Sequence, residues 1–182
     1  MLLVTTRLQI DALRPADAQA LFACRCDPAV ARFQGWQPAG IDSVRSFIAE
    51  QAVMDEGARH GWFQRAIRLR ENSELIGDLG INVPEDDASV EFGISIASAR
   101  QGQGYAAETL RALFGHVFRE EQRHRIHASV DPRNLASMAM LRSIGMRQEA
   151  HHRESLWFHG EWVDDVIFAL LASEWLPAQG TR

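Results

Sequence analysis

The chain contains no lysine; all 19 of its basic residues are arginine. That absence removes the Walker A lysine, the pyridoxal Schiff base and any lysine general base. A compositional bias of the source genome would explain it, and the chemical exclusions hold either way. Tyrosine occurs once, at Tyr105, and cysteine twice, at Cys24 and Cys26. Their one-residue spacing fits neither a CxxC redox motif nor a zinc knuckle. No apolar run approaches the roughly 20 residues that span a bilayer. The opening "MLLVTTRLQI" is too short in apolar residues for a signal h-region, so a cytoplasmic address without a membrane is expected. The net charge of −5 argues against nucleic-acid binding and favours a basic partner. With 182 residues, 46% of them hydrophobic, and no linker or repeat, one domain over 1–182 is expected.

What is present is an alternation of strand and helix patterns. "TTRLQIDAL" alternates as a strand and "RPADAQALFACR" reads as a helix, with Pro15 in its first turn and Asp17 at its positive end. Residues 29–38, holding Phe33 and Trp36, read as irregular, and a helix is expected from Ser43 to Glu56 with Gly57 as its stop. Three strand-like runs follow, "GWFQRAIRLR", "SELIGDLGIN" and "ASVEFGISI", joined by "ENS" and "VPEDD" into an antiparallel meander. A helix with Leu110, Leu113 and Phe114 on one side follows "RQGQGYAAE". Then come the strand "RIHASV", the helix "NLASMAMLRSIG" and a hairpin of "RESLWF" and "WVDDVIFALL". The fold class is α/β of the α+β kind: a mixed, mostly antiparallel sheet flanked by helices.

The passage Arg100–Glu108 carries two glycines where a strand becomes a helix. Such a pair allows a tight turn and aims backbone N–H groups at a helix N-terminus, an arrangement suited to phosphate. Gly102-x-Gly104-x-x-Ala107 matches the dinucleotide fingerprint of an oxidoreductase literally. Too little chain follows it for a doubly wound domain. The preceding strand also alternates, Val90, Phe92, Ile94 and Ile96 against Glu91, Gly93 and Ser95, where a strand buried on both faces would be continuously apolar.

Gln101-x-x-Gly104-x-Ala106 resembles the pyrophosphate loop, Q/R-x-x-G-x-G/A, of the GNAT N-acetyltransferases. "VEFGISI" is similar to that family's fourth strand, "RIHASV" to its fifth and "NLASMAMLRSIGM" to the helix beginning at an asparagine. "TTRLQIDALRPADAQALFA" and "GEWVDDVIFALL" resemble the ends of its ribosomal-protein branch. The resemblance implies an acetyl-CoA-dependent N-acetyltransferase working by direct transfer to a primary amine, either a protein N-terminus or a small molecule. A non-catalytic acyl-CoA-binding module is the alternative, and a homodimer stays open. It implies acetyl-CoA as co-substrate and no metal. The pyrophosphate would lie on Gln101, Gly102, Gln103, Gly104, Tyr105, Ala106 and Ala107, and the pantetheine arm on the backbone of Ile94, Ser95 and Ile96. Asn134 and Ser137 would sit by the thiol; Asn134 can also cap its helix, and Ser137 can be an ordinary first-turn serine.

Relatives often place a tyrosine acid where Leu141 stands, so Ser137 is the candidate acid. Glu91, between apolar neighbours that would raise its pKa, is the candidate base; some relatives carry it at the position of Val90, and Glu154 is its rival. An ion pair or a solvated position would explain Glu91 equally well. Strand-like surroundings and the want of a third ligand count against metal at His124, His127, His151 and His152. The cysteines are expected to pack buried on an N-terminal helix rather than carry an acyl group; Phe33, Trp36 and Trp62 would line an acceptor pocket or fill the core, with two of them expected in the core.

Overall fold

The computed structural model describes residues 1–57, 60–85 and 89–178. Its strands are β1 (Leu3–Val4), β2 (Leu8–Ala12), β3 (Gly61–Leu69), β4 (Leu75–Val83), β5 (Ser89–Ile96), β6 (Arg125–Val130), β7 (Arg147–Phe158) and β8 (Glu161–Leu171). They form one sheet in the order β1-β2-β3-β4-β5-β6-β8-β7. Every pairing is antiparallel except β5 with β6. Parallel neighbours need a crossover, which is α4 (Tyr105–Gly115) and the π-helical turn His116–Glu120. The parallel ladder is short: Ser89, Val90 and Glu91 face Arg125, Ile126 and His127, and no rung follows. From Phe92 onward the two strands diverge, opening a wedge in the middle of the sheet.

One face of the sheet buries Val90 and Phe92 against Leu110, Leu113 and Phe114 of α4. Burying a side chain such as Phe114 stabilises by about 2–3 kcal/mol. The other face is covered by α1 (Ala18–Cys26) and α3 (Ile41–Gly57), whose Leu21, Val44 and Ile48 close over Ala66. Arg68 of β3 is gripped there by Asp11 (2.7 Å) and Asp17 (2.6 Å). This ties β2 and the turn Pro15–Asp17 to the sheet; removing one partner from such a buried set costs about 3–5 kcal/mol. Asp17 thus serves Arg68 as well as the helix start it was expected to favour.

Several boundaries differ from expectation. The strand expected over "TTRLQIDAL" is β2 and begins only at Leu8, after a tight turn from β1, because Thr5 Oγ1 caps the turn at Leu8. Within the segment expected to be irregular, Pro28–Ala31 is a short helix, α2, with Asp27 accepting the Ala29 N–H at its start. The α3 helix includes Gly57 rather than stopping before it. The β7 strand is six residues longer than "RESLWF" suggested, because as a sheet edge its polar half lies in solvent and shows no apolar alternation. A last helix, α6 (Ala172–Ala178), was not expected; it sets Trp175 edge-on to Phe114, 5.4 Å between centroids. Residues 86 and 87 of the turn "VPEDD", and residue 88 that opens the expected strand "ASVEFGISI", lie outside the described residues.

Candidate active site

At the glycine passage, Gly102 (φ +72°) and Gly104 (φ +81°) both lie in the left-handed region that disfavours a Cβ. Nothing stands within 4 Å of where a Gly102 side chain would begin. Gly104 starts α4 with no side chain capping it, and the helix's first internal bond is Glu108 N–H to the Gly104 carbonyl. The N–H groups of the first turn therefore face outward, as an anion requires.

Gln101 and Gln103 lock the turn, donating to the Ile96 (2.9 Å) and Ala99 (3.3 Å) carbonyls. Ala106, Ala107 and Tyr105 pack partly into the core. Arg7, which sequence reasoning missed, straps the N-terminal turn to this loop. Its Nη1 donates to the Gln103 carbonyl (3.0 Å), its guanidinium lies 4.4 Å over the Tyr105 ring, and Glu108 takes its Nε (2.7 Å). Burial opposes ionisation of Glu108, and bonds from Thr5 and Arg7 outweigh it, holding the carboxyl below its ordinary range.

A cavity of about 590 Å³ occupies the wedge between β5 and β6 and runs out over the sheet. Glu91, Ile94, Asn134, Ser137 and Leu141 all line it. The α5 helix (Leu135–Ser143) is capped by Asn134, whose Oδ1 accepts the Ser137 N–H at 3.1 Å, so the cap and the cavity wall are the same residue. Ser95 and Ile96 are buried behind the rim, and Ser95 Oγ has no hydrogen-bond partner. Glu91 is half-buried, and Asn82 Nδ2 approaches it at 3.5 Å. Glu154 is exposed at a bulge of β7 (φ +46°), its N–H held by Asp164 at 2.9 Å, and it is not among the cavity-lining residues.

Phe33, Trp36 and Trp62 all line the cavity; Trp36 also packs against the core cluster of Leu21, Val44 and Ile48, so one of the three serves the core where two were expected. The side chains that would have filled the space around Trp62 are absent, because the sheet there carries glycines. Cys24 is buried and its thiol is pushed up to about 12, by burial first and then by Asp78. Such a thiol is not a nucleophile near neutral pH. Cys26 is exposed, against the expectation that both cysteines would be buried, because it lies on the outer face of α1, and neither cysteine lines the cavity. His151 is paired to Asp164 (2.7 Å), and His127 lies beside Glu91 on β6.

The cavity also has a polar wall that no sequence signal announced. Arg25 of α1 donates Nε (3.1 Å) and Nη2 to Asp78 of β4, and Nη1 (3.0 Å) to Gln34; Gln64 of β3 also donates to Asp78. Asp78 is completely buried, and Arg25 only 7% exposed. Charged residues 53 positions apart carry no periodicity that would pair them.

A mostly antiparallel sheet, split at its one parallel pair beside a glycine loop that opens a helix, defines a class of acyl-group-transfer enzymes rather than a doubly wound nucleotide fold. A family model described as an acetyltransferase (GNAT) domain matches residues 7–147. The chain belongs to the GNAT acetyltransferase family and is an N-acyltransferase enzyme. An uncharacterized N-acetyltransferase, p20, of Bacillus licheniformis is 27% identical over 175 residues, covering 95% of this chain and 97% of that one. The [ribosomal protein uS5]-alanine N-acetyltransferase of Escherichia coli is 33% identical over 88 residues, 48% of this chain and 45% of its own length. Mycobacterium smegmatis RimJ, solved in complex with CoA-disulfide, superposes with a TM-score of 0.79 at 28% identity, covering 95% of this chain and 89% of that one. No helix among the described residues is long and apolar enough to cross a membrane.

Proposed function

We propose that the protein transfers the acetyl group of acetyl-CoA directly to a primary amine, with a protein N-terminus as the acceptor class, in the cytoplasm. The observation that carries this reading is a single cavity, in the wedge of a split sheet, whose walls include both Glu91 and Ser137. The acyl donor fits the residues present. Glycines at positive φ and an uncapped helix start suit its pyrophosphate, and the unpaired edge of β5 along Ile94–Ile96 suits an arm that adds like a strand. When bound, it supplies the activated acetyl group.

The chain's own residues then have three tasks. Glu91, with Asn82 beside it, takes the proton that the amine nitrogen loses as it bonds to the acetyl carbon. Ser137, held in the first turn by the Asn134 cap, passes a proton to the sulfur as the C–S bond breaks, and recovers one through water. The proton lost by the amine thereby balances the one gained by the thiol. The cavity walls hold the partners together, which itself supplies much of the acceleration. The protein-N-terminus acceptor is supported by the E. coli relative, whose name specifies a ribosomal protein, and by the −5 charge, which suits a basic partner.

Calorimetry with CoA, acetyl-CoA and NAD, followed by release of CoA thiol in the presence of peptides, polyamines, aminoglycosides and amino acids, tests the reading. CoA binding and peptide-dependent thiol release are expected. Binding of NAD without CoA would overturn it.

A further inference from the structure

The register of β3, β4 and β5 lays the side chains of one sheet face in three rows. The first is Trp62, Asn82 and Glu91; the second Gln64, Gly80 and Gly93; the third Ala66, Asp78 and Ser95. Adjacent rows lie about 7 Å apart, two residues along a strand. The first row ends in the candidate base. The third has the buried Asp78 at its middle, with Arg25 clamped on it. The row between them is bare on two strands out of three.

The two glycines are bare for different reasons. A Cβ on Gly80 would stand 3.3 Å from the Trp62 ring and 3.0 Å from Gln64 Oε1, so its missing side chain lets the indole lie against the sheet. A Cβ on Gly93 would meet nothing within 4 Å, and Gly93 is exposed into the cavity. Its φ is not positive, so backbone conformation does not demand glycine there. Gly93 is therefore open floor, with Glu91 at one end, the Trp62 ring alongside and Arg25 at the other end.

Arg25 is more than a structural pair. Of its five N–H groups, Asp78 takes two and Gln34 takes one; two remain, among the described residues, on a guanidinium that lines the cavity. The guanidinium also lies 5.6 Å over the Trp36 ring, and its two remaining N–H groups suit an oxygen acceptor. From the first row to the third is about 14 Å, which an extended tripeptide of about 10 Å spans with a hydrogen bond of about 3 Å at each end.

We propose that Gly93 is the specificity-determining residue of the acceptor site. The acceptor lies extended over it, with its amine at Glu91 and a carbonyl or carboxylate oxygen two residues further on accepting from Arg25. The class selected is an amine followed by amide or carboxylate oxygens, a peptide or peptide-like acceptor. A polyamine brings only cationic nitrogens to that guanidinium and is rejected. This rests on the acetyl-transfer reading of the cavity, so donor and acceptor are measured separately.

The test uses Ala-Ala-Ala, n-propylamine and spermidine as acceptors, with wild type and the variants Gly93→Ala and Gly93→Val. Calorimetry gives the CoA affinity of each protein and the tripeptide affinity of each CoA-loaded protein. In wild type the tripeptide is expected to bind and to exceed both amines at least about tenfold in kcat/KM, the discrimination typical of a site built to hydrogen-bond its substrate. Gly93→Val is expected to weaken the tripeptide, as Kd or KM, by about tenfold or more, and Gly93→Ala by less, with CoA affinity within about twofold. If the tripeptide fails to bind CoA-loaded wild type, if spermidine serves as well, or if Gly93→Val binds the tripeptide normally, the proposal is wrong. If Gly93→Val weakens CoA instead, Gly93 serves the donor, which also overturns it. Failure of wild type to bind CoA at all would sink the acetyl-transfer reading itself.

Discussion

Replacing Gly104 by aspartate separates backbone strain from charge at the glycine loop. At φ +81° an L-residue costs about 1 kcal/mol. The nearest atom to a new Cβ is Arg7 Nη2 at 3.5 Å, an ordinary contact, so the fold should survive. For a chain of this size the strain should lower the melting temperature by about 3 °C. Gly104→Ala carries that strain alone. Gly104→Asp adds a negative charge at the start of α4, where the pyrophosphate is proposed to sit. At about 5 Å from two phosphate charges, with an effective dielectric between 40 and 80, the repulsion is about 2–3 kcal/mol. That corresponds to a CoA affinity weakened about 30- to 150-fold. The assay is calorimetric titration of both folded variants with CoA, at about 0.1 M and about 1 M salt, where the screening length falls from about 10 to 3 Å. The aspartate variant should recover toward the alanine variant at high salt. Equal weakening by alanine and aspartate would refute the electrostatic argument, and normal CoA binding by Gly104→Asp would remove the phosphate from this loop.

Glu91→Gln keeps the shape and should reduce turnover about 100-fold or more while removing the acidic limb of the pH–rate profile, with CoA affinity unchanged; Glu154→Gln, outside the cavity, should stay active, and the reverse pattern would move the base to β7. Replacing Cys24 and Cys26 together by serine should leave turnover nearly intact, since the Cys24 thiol at about 12 is un-ionised and neither cysteine lines the cavity; an acetyl-cysteine trapped in a single turnover would overturn direct transfer. Burial, opposed by the charge of Glu91, holds His127 below its ordinary 6.5 in the folded protein. The unfolded chain then takes up that proton first, so stability present above pH 6.5 is lost as pH falls below it toward the folded value. Between pH 7.5 and 5.5 the wild-type melting temperature should fall more than that of His127→Gln; equal slopes would show that His127 is not held neutral.

Much of this protein is legible in its sequence because the governing physics is local. A glycine pair between an alternating strand and a helical stripe demands a turn at positive φ, and Gly102 and Gly104 adopt it. An asparagine three residues ahead of Ser137 is a helix cap, and Asn134 accepts that N–H. The alternation of Val90, Phe92 and Ile96 against Glu91 and Gly93 puts the first set in the core and the second on the cavity side. Tertiary structure alone decided which distant residues share the site. Arg25 meets Asp78, and Arg7 meets Gln103 and Glu108, through packing of segments up to a hundred residues apart, and no period in the chain encodes such a distance. Strand register decided that Gly80 and Gly93 stand side by side, since one residue of slip would turn either to the opposite face. It also decided that β5 and β6 part after three rungs. That divergence opens the cavity between β5 and β6, and a strand's own alternation does not say where its pairing with a neighbour stops.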